Sequence, residues 1–505
     1  MKLSRIVSCV LALFITAGLA GCRSNVTYTS EYYYEDVSGG GGAPAGTGSD
    51  EAVSGGTAGA GTSGGGHSSS GAGGSETVEE VDVRGYNFTL VSEFLPSEVS
   101  SSSTGFEKNL FNRIEEVERQ YGCDISIINS YATTPDNLQP LILAGKKVGD
   151  AVEVISTRVL SLAKNNYIIP WDDVSGIDVS DSRFIQGYNR MATYDGKVYG
   201  VQFMKPVEVR MCVIFNKSIL KSAGIDADGL YTQAADKKWN FAMLRDYARR
   251  TTRVVNGTTT VWGLGGTPLE VAKSLIRANN GLLVSYNGTA SAAYTSSNVI
   301  EALDYFNTLV NTDKVYMTAD GMGSADTFGS SLPDYNRQFI DGKLAFLIAE
   351  SWVINQQIKG NVSFDYGMLP VPIGTSASDY IGNADNARVW CMTSTNAESE
   401  DYKKSVFIFN ELTKPSEGYE GDDWWEYDVK QEYFQTESAD KDIEMYKLCI
   451  DTASVDVGWG IVSMREDFTQ TAVYGPIFWN TTTPAAAVSS LEGTYDRTIS
   501  SMFNK

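Results

Sequence analysis

The sequence predicts an α/β protein of two lobes joined by a hinge, carried behind a long disordered tether. Three observations lead there. Strand-like and helix-like stretches alternate from Tyr86 onward, and parallel strands need helical crossovers between them. The part beyond residue 83 exceeds the size at which a single hydrophobic core stops growing, so a second core is expected. Residues 195–225 read as the first crossing from one lobe to the other: two extended segments separated by Pro206, which supplies no N–H to a strand ladder.

The N-terminus reads as a leader. Lys2 and Arg5 give it positive charge, Val7 to Gly18 form an apolar run too short for an ordinary membrane span, and Leu19-Ala20-Gly21-Cys22 is a lipobox. The pattern resembles a bacterial lipoprotein signal, which implies removal of residues 1–21 and acylation of the Cys22 thiol. Export is then expected, followed by anchoring to the outer face of a membrane by acyl chains. Residues 22–83 are rich in Gly, Ser, Ala and Thr and bury too little apolar area to fold, so they read as a flexible linker. Some 60 such residues reach on the order of 40 Å. That length suits a Gram-positive surface with its thick wall.

The folded part opens with a strand over 86–94, where Phe88 and Leu90 alternate. Thr104-Gly105-Phe106-Glu107 reads as a capping box, and Phe106, Leu110, Ile114, Val117 and Tyr121 trace a helical stripe that ends at Gly122. A strand over 123–128, a helix over 135–144 and a strand over 151–155 follow. Ligands bind such sheets beyond the carboxyl ends of the strands, which nominates Ser92, Glu93 and Phe94, then Ser156, Thr157 and Arg158. In the crossing stretch Val201, Phe203, Val207, Val209, Met211, Val213 and Phe215 keep the two-residue period of a strand. Asn216 suits the N-cap of a helix over 217–223, with Gly224 as its left-handed stop. Further helices are expected over 240–250, 297–310 and 397–412, and a last one ends near Phe503.

Composition excludes several functions. The formal net charge of −22 argues against nucleic-acid binding, which needs a basic footprint. The single histidine, His67, lies in the linker, so Ser-His-Asp, Cys-His and H-E-x-x-H chemistry are absent. No phosphate-binding glycine loop is present, and no cofactor is expected. Asp226-Ala227-Asp228-Gly229 lacks the later acid of a calcium loop, so no metal is expected. With Cys9 in the leader and Cys22 acylated, Cys123, Cys212, Cys391 and Cys449 remain, without C-x-x-C spacing. They read as buried thiols, with one disulfide left open. Glycoside hydrolysis by paired carboxylates needs no histidine and survives, although no acidic pair stands out.

Aromatic residues make up 11% of the chain, and all nine tryptophans lie at or after Trp171. Tryptophan faces stack on pyranose rings, although any one of them is more often a packing residue. Trp352 follows a predicted strand, with Glu350 and Ser351 beside it. Trp262 follows a polar turn over 256–260, and Asp385, Arg388 and Trp390 flank a strand returning to the first lobe. Trp424 and Trp425, in the acidic aromatic run 417–434, either cap a cleft or belong to a surface loop.

A set of motifs then falls in order: Gly196-Lys197-Val198-Tyr199-Gly200, Phe215-Asn216-Lys217, Ala223-Gly224, Phe339-Ile340-Asp341-Gly342-Lys343-Leu344-Ala345-Phe346, Glu350-Ser351-Trp352, and FDYGMLPVP over 364–372. Their order and spacing resemble the extracellular solute-binding proteins of family 1, the maltodextrin-binding-like receptors of carbohydrate ABC importers. Gln202 stands where the family has proline, Lys238-Trp239-Asn240 replaces its T-W-D/E, and Glu350 replaces a glycine. The resemblance spans roughly residues 86–505.

It implies a periplasmic-binding-protein-like type II fold, with lobe 1 over about 84–205 and 370–415 and lobe 2 over about 210–365 and 416–505. It implies a monomer that captures a sugar or oligosaccharide between closing lobes and passes it to the transmembrane subunits of an ABC permease, without catalysis. The residues put forward for the ligand are Glu93, Phe94, Thr157, Trp262, Glu350, Ser351, Trp352, Asp385, Arg388 and Trp390, with Trp352 matching the family's cleft tryptophan. The stretch 364–372 is expected beside the crossing 195–225, between the lobes. The rival readings are a surface glycoside hydrolase or lyase and a glycan-binding adhesin outside transport.

Overall fold

The computed structural model describes residues 81–93, 105–130, 135–203, 209, 211–286, 289–318, 332–385, 387–416, 424–434 and 436–503. The leader, Cys22, the linker up to residue 80, Phe94, Thr104 and the first part of the acidic aromatic run lie outside these residues.

The chain begins with β1 (Asn87–Ser92), α1 (Gly105–Tyr121), β2 (Asp124–Asn129), α2 (Pro135–Leu143), β3 (Ala151–Ile155), α3 (Ser156–Lys164) and β4 (Ile168–Ile169). It continues with β5 (Cys212–Asn216), α4 (Lys217–Ser222), α5 (Phe241–Thr251), β6 (Arg253–Val255), β7 (Thr258–Gly265), α6 (Pro268–Ala278), α7 (Ser297–Asn307), β8 (Leu344–Ala349) and β9 (Tyr366–Leu369). Then come β10 (Gly382–Asn383), β11 (Arg388–Thr393), α8 (Tyr402–Leu412), α9 (Trp424–Tyr433), α10 (Ala439–Asp451) and β12 (Ala453–Ser454).

Two five-stranded sheets result, in the orders β2-β1-β3-β11-β4 and β9-β5-β8-β7-β6. In the first, β1 runs parallel to β2 and β3, and β11 inserts antiparallel between β3 and β4. In the second, β7 and β8 are parallel, while β5 is antiparallel to β8 and β9. One face of the first sheet carries its own core of Phe88, Leu90, Trp390 and Met392 under Leu110, Val117, Phe407 and Phe409.

The crossing stretch behaves as a seam. Asp195 (φ 49°) and Gly196 (φ 77°) form its opening turn. Gly200 must be glycine, because a Cβ there would lie 2.4 Å from Val389 Cγ2. Val201 bridges Trp390 of β11, whereas Val209 accepts from Ser351 N beyond β8, so residue 201 belongs with the first sheet and residue 209 with the second. The expected one-faced alternation does not survive in β5, where all five residues are buried. A central strand covered on both faces needs apolar side chains on both. Asn216 caps α4 by accepting from Ile219 N at 3.0 Å, and Gly224 takes φ 68°.

The stretch 364–372 does lie beside this one, since β9 pairs with β5, but as a strand of the second sheet. Trp239 Nε1 donates to Pro370 O at 2.9 Å and Asn240 bridges Ile373, keeping the chain with that sheet further on. The single helix expected over 397–412 is broken into Ser394–Ala397 and α8. Asn396 turns inward there and donates to Asp150 O at 2.8 Å. Cys123, Cys212, Cys391 and Cys449 are buried free thiols. Among the described residues no helix is long and apolar enough to cross a membrane.

A buried lysine fastens the C-terminal helices to the second sheet. Lys217, at the start of α4, reaches Asp228 at 3.0 Å, Asp365 at 3.3 Å and Ser438 Oγ at 2.5 Å, over the ring of Tyr231. Tyr231 donates to Asp442 of α10 at 2.7 Å, and Met368 N of β9 donates to the same oxygen at 2.8 Å. Burial pushes the Asp442 carboxyl up to about 6, against the pull of those two donors. A carboxyl raised in the folded state makes the fold more stable as pH falls from about 6 towards 4 and leaves a standing cost above 6. Asp442→Asn keeps the acceptor and removes the titration. Lowering the pH from 7 to 5 should therefore stabilise the parent over the variant by on the order of 1–2 kcal/mol. Parallel denaturant titrations at both pH values would show it, and equal shifts would refute it.

Candidate functional site

The parallel pair β7 and β8 end side by side, Leu347 against Gly265, and the segments beyond those ends face the same region. After β8 come Glu350, Ser351 and Trp352. Ser351 N donates to Val209 O at 3.0 Å, which ties this turn to the crossing. The half-buried Trp352 donates its indole N–H to Glu350 Oε2. Ser351 is fully buried, and its hydroxyl has no hydrogen-bond partner. After β7 comes α6, which sets Glu270 and Lys273 one turn apart on the same face.

Lys273 is the hub of the floor. Its ammonium lies 3.2 Å from Glu270, 3.6 Å from Asp385 and 5.5 Å from the ring centre of Trp459. Burial works against that charge, but Glu270 and Asp385 outweigh it, and the group is held above the usual lysine range. Burial raises Asp385, with Lys273 opposing. Asp385 accepts from Asp456 N at 3.2 Å. The Asp456 carboxylate in turn accepts from the N–H groups of Leu283, Val284 and Gly458 at 2.5, 3.2 and 2.9 Å. Burial, then the neighbouring Asp385, push Asp456 up to about 6 despite these donors.

The carboxyl ends of the first sheet supply the other side. Ser92 donates to Glu153 at 2.5 Å, and the second oxygen of that buried carboxylate has no hydrogen-bond partner. Burial raises Glu93, with Arg388 and Arg158 acting against it. Ser156, opening α3, donates its hydroxyl to Ala384 O at 3.0 Å and its N–H to Ala387 O at 2.7 Å. Those bonds hold Asp385 against the end of β3. Thr157 packs so closely on Gly460 that a Cβ there would come within 2.9 Å of the threonine Cβ.

A family model described as bacterial extracellular solute-binding protein matches residues 112–427, more than half of the chain. The chain belongs to that family. Solved structures share its fold over most of its length. UspC of M. tuberculosis superposes with a TM-score of 0.59 at 14% identity, covering 81% of this chain and 99% of its own. The substrate-binding protein Lmo0181 of Listeria monocytogenes, in complex with cycloalternan, gives 0.53 at 18%, covering 82% and 98%. The MalE domain of Bdellovibrio bacteriovorus, bound to maltotriose, gives 0.54 at 16%, covering 82% and 99%. No curated protein matches. The two sheets are thus the cores of the two α/β lobes of a type II periplasmic-binding-protein-like fold.

In this solute-binding protein, Glu350, Ser351, Trp352 and Asp385 come together at the ends of the second sheet and the return leg. Glu93 and Arg388 gather with Arg158 at the ends of the first. Two tryptophans put forward from the sequence go elsewhere. Trp262 pairs with Leu344, at the opposite end of β8 from Glu350. Trp390 is fully buried in the first-sheet core, 6.4 Å from the ring of Phe203. Thr157 is buried beneath Gly460, and Phe94 lies outside the described residues. Sequence reasoning missed Glu270, Lys273, Asp456 and Trp459. The available signal was Lys273 itself, a charge among Val271, Ala272, Leu275 and Ile276. Among the described residues no cluster could hold a metal. A separate crevice lined by Arg113, Arg183 and Lys414 has its two guanidiniums engaged with the last carbonyls of α8.

Because Lys273 and Asp385 are almost fully buried, removing one strands the other. Lys273→Met should cost about 3–5 kcal/mol. Asp385→Asn in the same chain should return part of that loss, a coupling on the order of 1–3 kcal/mol in a double-mutant cycle. Strictly additive effects on denaturant midpoints would show that the pair is not coupled.

Proposed function

We propose that this protein is a sugar receptor of an ABC importer, lipid-anchored through Cys22 at the outer face of the membrane, which captures a mono- or oligosaccharide between its lobes. The observation that supports this best is Trp352: a half-buried indole at the carboxyl end of β8, its N–H held by Glu350 and its backbone tied through Ser351 to the crossing. A ring fixed at its polar edge offers its face to a pyranose, while Glu350 and Glu270 accept from hydroxyls. Glu93, Arg158 and Arg388 receive the ligand from the other lobe. The maltotriose and cycloalternan held by the neighbours of like fold favour a carbohydrate over other solutes.

Closure is a shift of population. A sugar touching both lobes stabilises the closed arrangement by the difference in its affinity for the two states. The permease would recognise the closed form, and the linker would give the receptor reach across a wall layer. Trp352→Ala should weaken sugar binding by about 10- to 100-fold, the value of a lost aromatic platform of about 1–3 kcal/mol, with a thermal midpoint close to that of the parent. Calorimetry against a glycan panel measures the affinity, and unchanged affinity rejects the platform. An assay for new reducing ends in the same mixtures separates receptor from hydrolase, because turnover would reject the receptor.

A further inference from the structure

A crevice of about 410 Å³, open to solvent, lies where the N-terminal half of α1 meets the end of α8. Its described lining includes three cations, Arg113, Arg183 and Lys414, and no carboxylate. Those cations do have acidic partners. Arg113 lies 2.7 Å from Glu116 and 3.9 Å from Glu411, Arg183 lies 3.6 Å from Asp181, and Lys414 lies 2.5 Å from Glu411. None of these acids belongs to the described wall, so the charges balance while the wall presents the cations. The carbonyls at the end of α8, which would repel an anion, are answered as well. Arg113 donates twice to Glu411 O, at 2.9 and 2.6 Å, and Arg183 donates to Asn410 O at 3.1 Å.

Three polar atoms of the same lining residues make no hydrogen bond: Arg183 Nε, Asn109 Oδ1 and Ser416 Oγ. Buried polar atoms are seldom left so. The other end of the Arg183 guanidinium is committed to Asn410 O and, at 3.0 Å, to Asn410 Oδ1, which fixes the plane and leaves Nε over. That side chain is 8% exposed. Burial holds it below the usual arginine range against the pull of Asp181, Glu411 and Asp178. A further anion at this edge would offset the burial.

The three atoms also say which anion. Arg183 Nε–H donates, the Ser416 hydroxyl donates or accepts, and Asn109 Oδ1 accepts. Sulfate or a carboxylate answers the donors alone. A phosphate that keeps one proton answers all three, its oxygens accepting from Arg183 and Ser416 and its P–OH donating to Asn109. We propose that this crevice binds phosphate, free or as a monoester, through Arg183, Ser416 and Asn109 with the Lys414 ammonium beside them. The site shares no residue with the sugar site at Glu350 and Trp352 and does not depend on what binds there.

The test is calorimetry on the full chain at constant ionic strength, with inorganic phosphate, methyl phosphate, dimethyl phosphate, sulfate and acetate as titrants. Inorganic phosphate, methyl phosphate or both should bind about tenfold or more tighter than sulfate, a difference of about 1.4 kcal/mol. Dimethyl phosphate has no P–OH and should rank with sulfate. Comparing inorganic with methyl phosphate tells a free-phosphate site from one that accepts a monoester. Ser416→Ala should weaken phosphate about three- to tenfold, the worth of one hydrogen bond. Asn109→Asp sets a like charge against the ligand and should weaken it by about tenfold or more. An acid near the start of α1 suits the helix, and thermal midpoints without phosphate check that both variants fold. No phosphate binding overturns the site, as does binding that neither folded variant changes. Sulfate bound as tightly as phosphate overturns the assignment to phosphate.

Discussion

Two hydrogen bonds between Val201 and Trp390, 3.1 Å one way and 2.7 Å the other, hold the outgoing and returning legs of the chain together. They are needed because β11 completes the first sheet although its sequence follows the whole of the second. The strand must come back antiparallel between β3 and β4, so the chain crosses out and back before its C-terminal helices rejoin the second sheet. Pairing the two legs brings both crossings to one seam. Gly200 has no room for a side chain there because Val389 occupies the space. Everything assigned to the site is measured out from this seam. Asp385 lies five residues before Trp390 and so meets Lys273. Val209 lies eight beyond Val201 and so meets Ser351.

How much of the fold was legible depended on whether an element has a wet face. The stripe from Phe106 to Tyr121 marks α1 because its other side is solvated, and Gly122 (φ 67°) ends it. The cap at Asn216 was legible because a cap is a local hydrogen bond, here from Ile219 N. The crossing was less so. Its period-two pattern suggested a one-faced strand, yet β5 sits inside a sheet covered on both sides, where alternation carries no signal. The break between Ala397 and Tyr402 was hidden for another reason: it serves a contact with Asp150, far away in sequence.

The site divided along the same line. Glu350, Ser351 and Trp352 were legible because they follow a strand end and keep the spacing of a known family. Trp262 and Trp390 were drawn in by residue type and by a nearby turn or strand, and neighbours in space, not in sequence, assign them to packing. Lys273 was hidden because its meaning lies in Asp385, more than a hundred residues away. A lysine in an apolar helix reads as an exposed turn until the facing carboxylates are known. The general lesson concerns Lys217 as well, since both lysines are buried and each gathers carboxylates from separate parts of the chain. Burying such an ammonium is tolerable because carboxylates face it.

The two hubs differ in what surrounds them, and that difference bears on function. Lys217 is matched by Asp228 and Asp365 and further held by Ser438, at the back of the second lobe. Lys273 sits at the seam with three carboxylates, a carboxylate oxygen lacking a hydrogen bond and a neighbouring hydroxyl without a partner. The Ser351 hydroxyl, fully buried without a hydrogen bond, costs a desolvation that no protein contact returns. Such a cost persists where a ligand answers it. On the proposed reading the ligand meets Glu350 and Trp352, one residue either side of the bond between Ser351 and Val209. Binding energy is thus delivered at the crossing itself, where a small preference for one arrangement of the legs becomes a preference for one arrangement of the lobes.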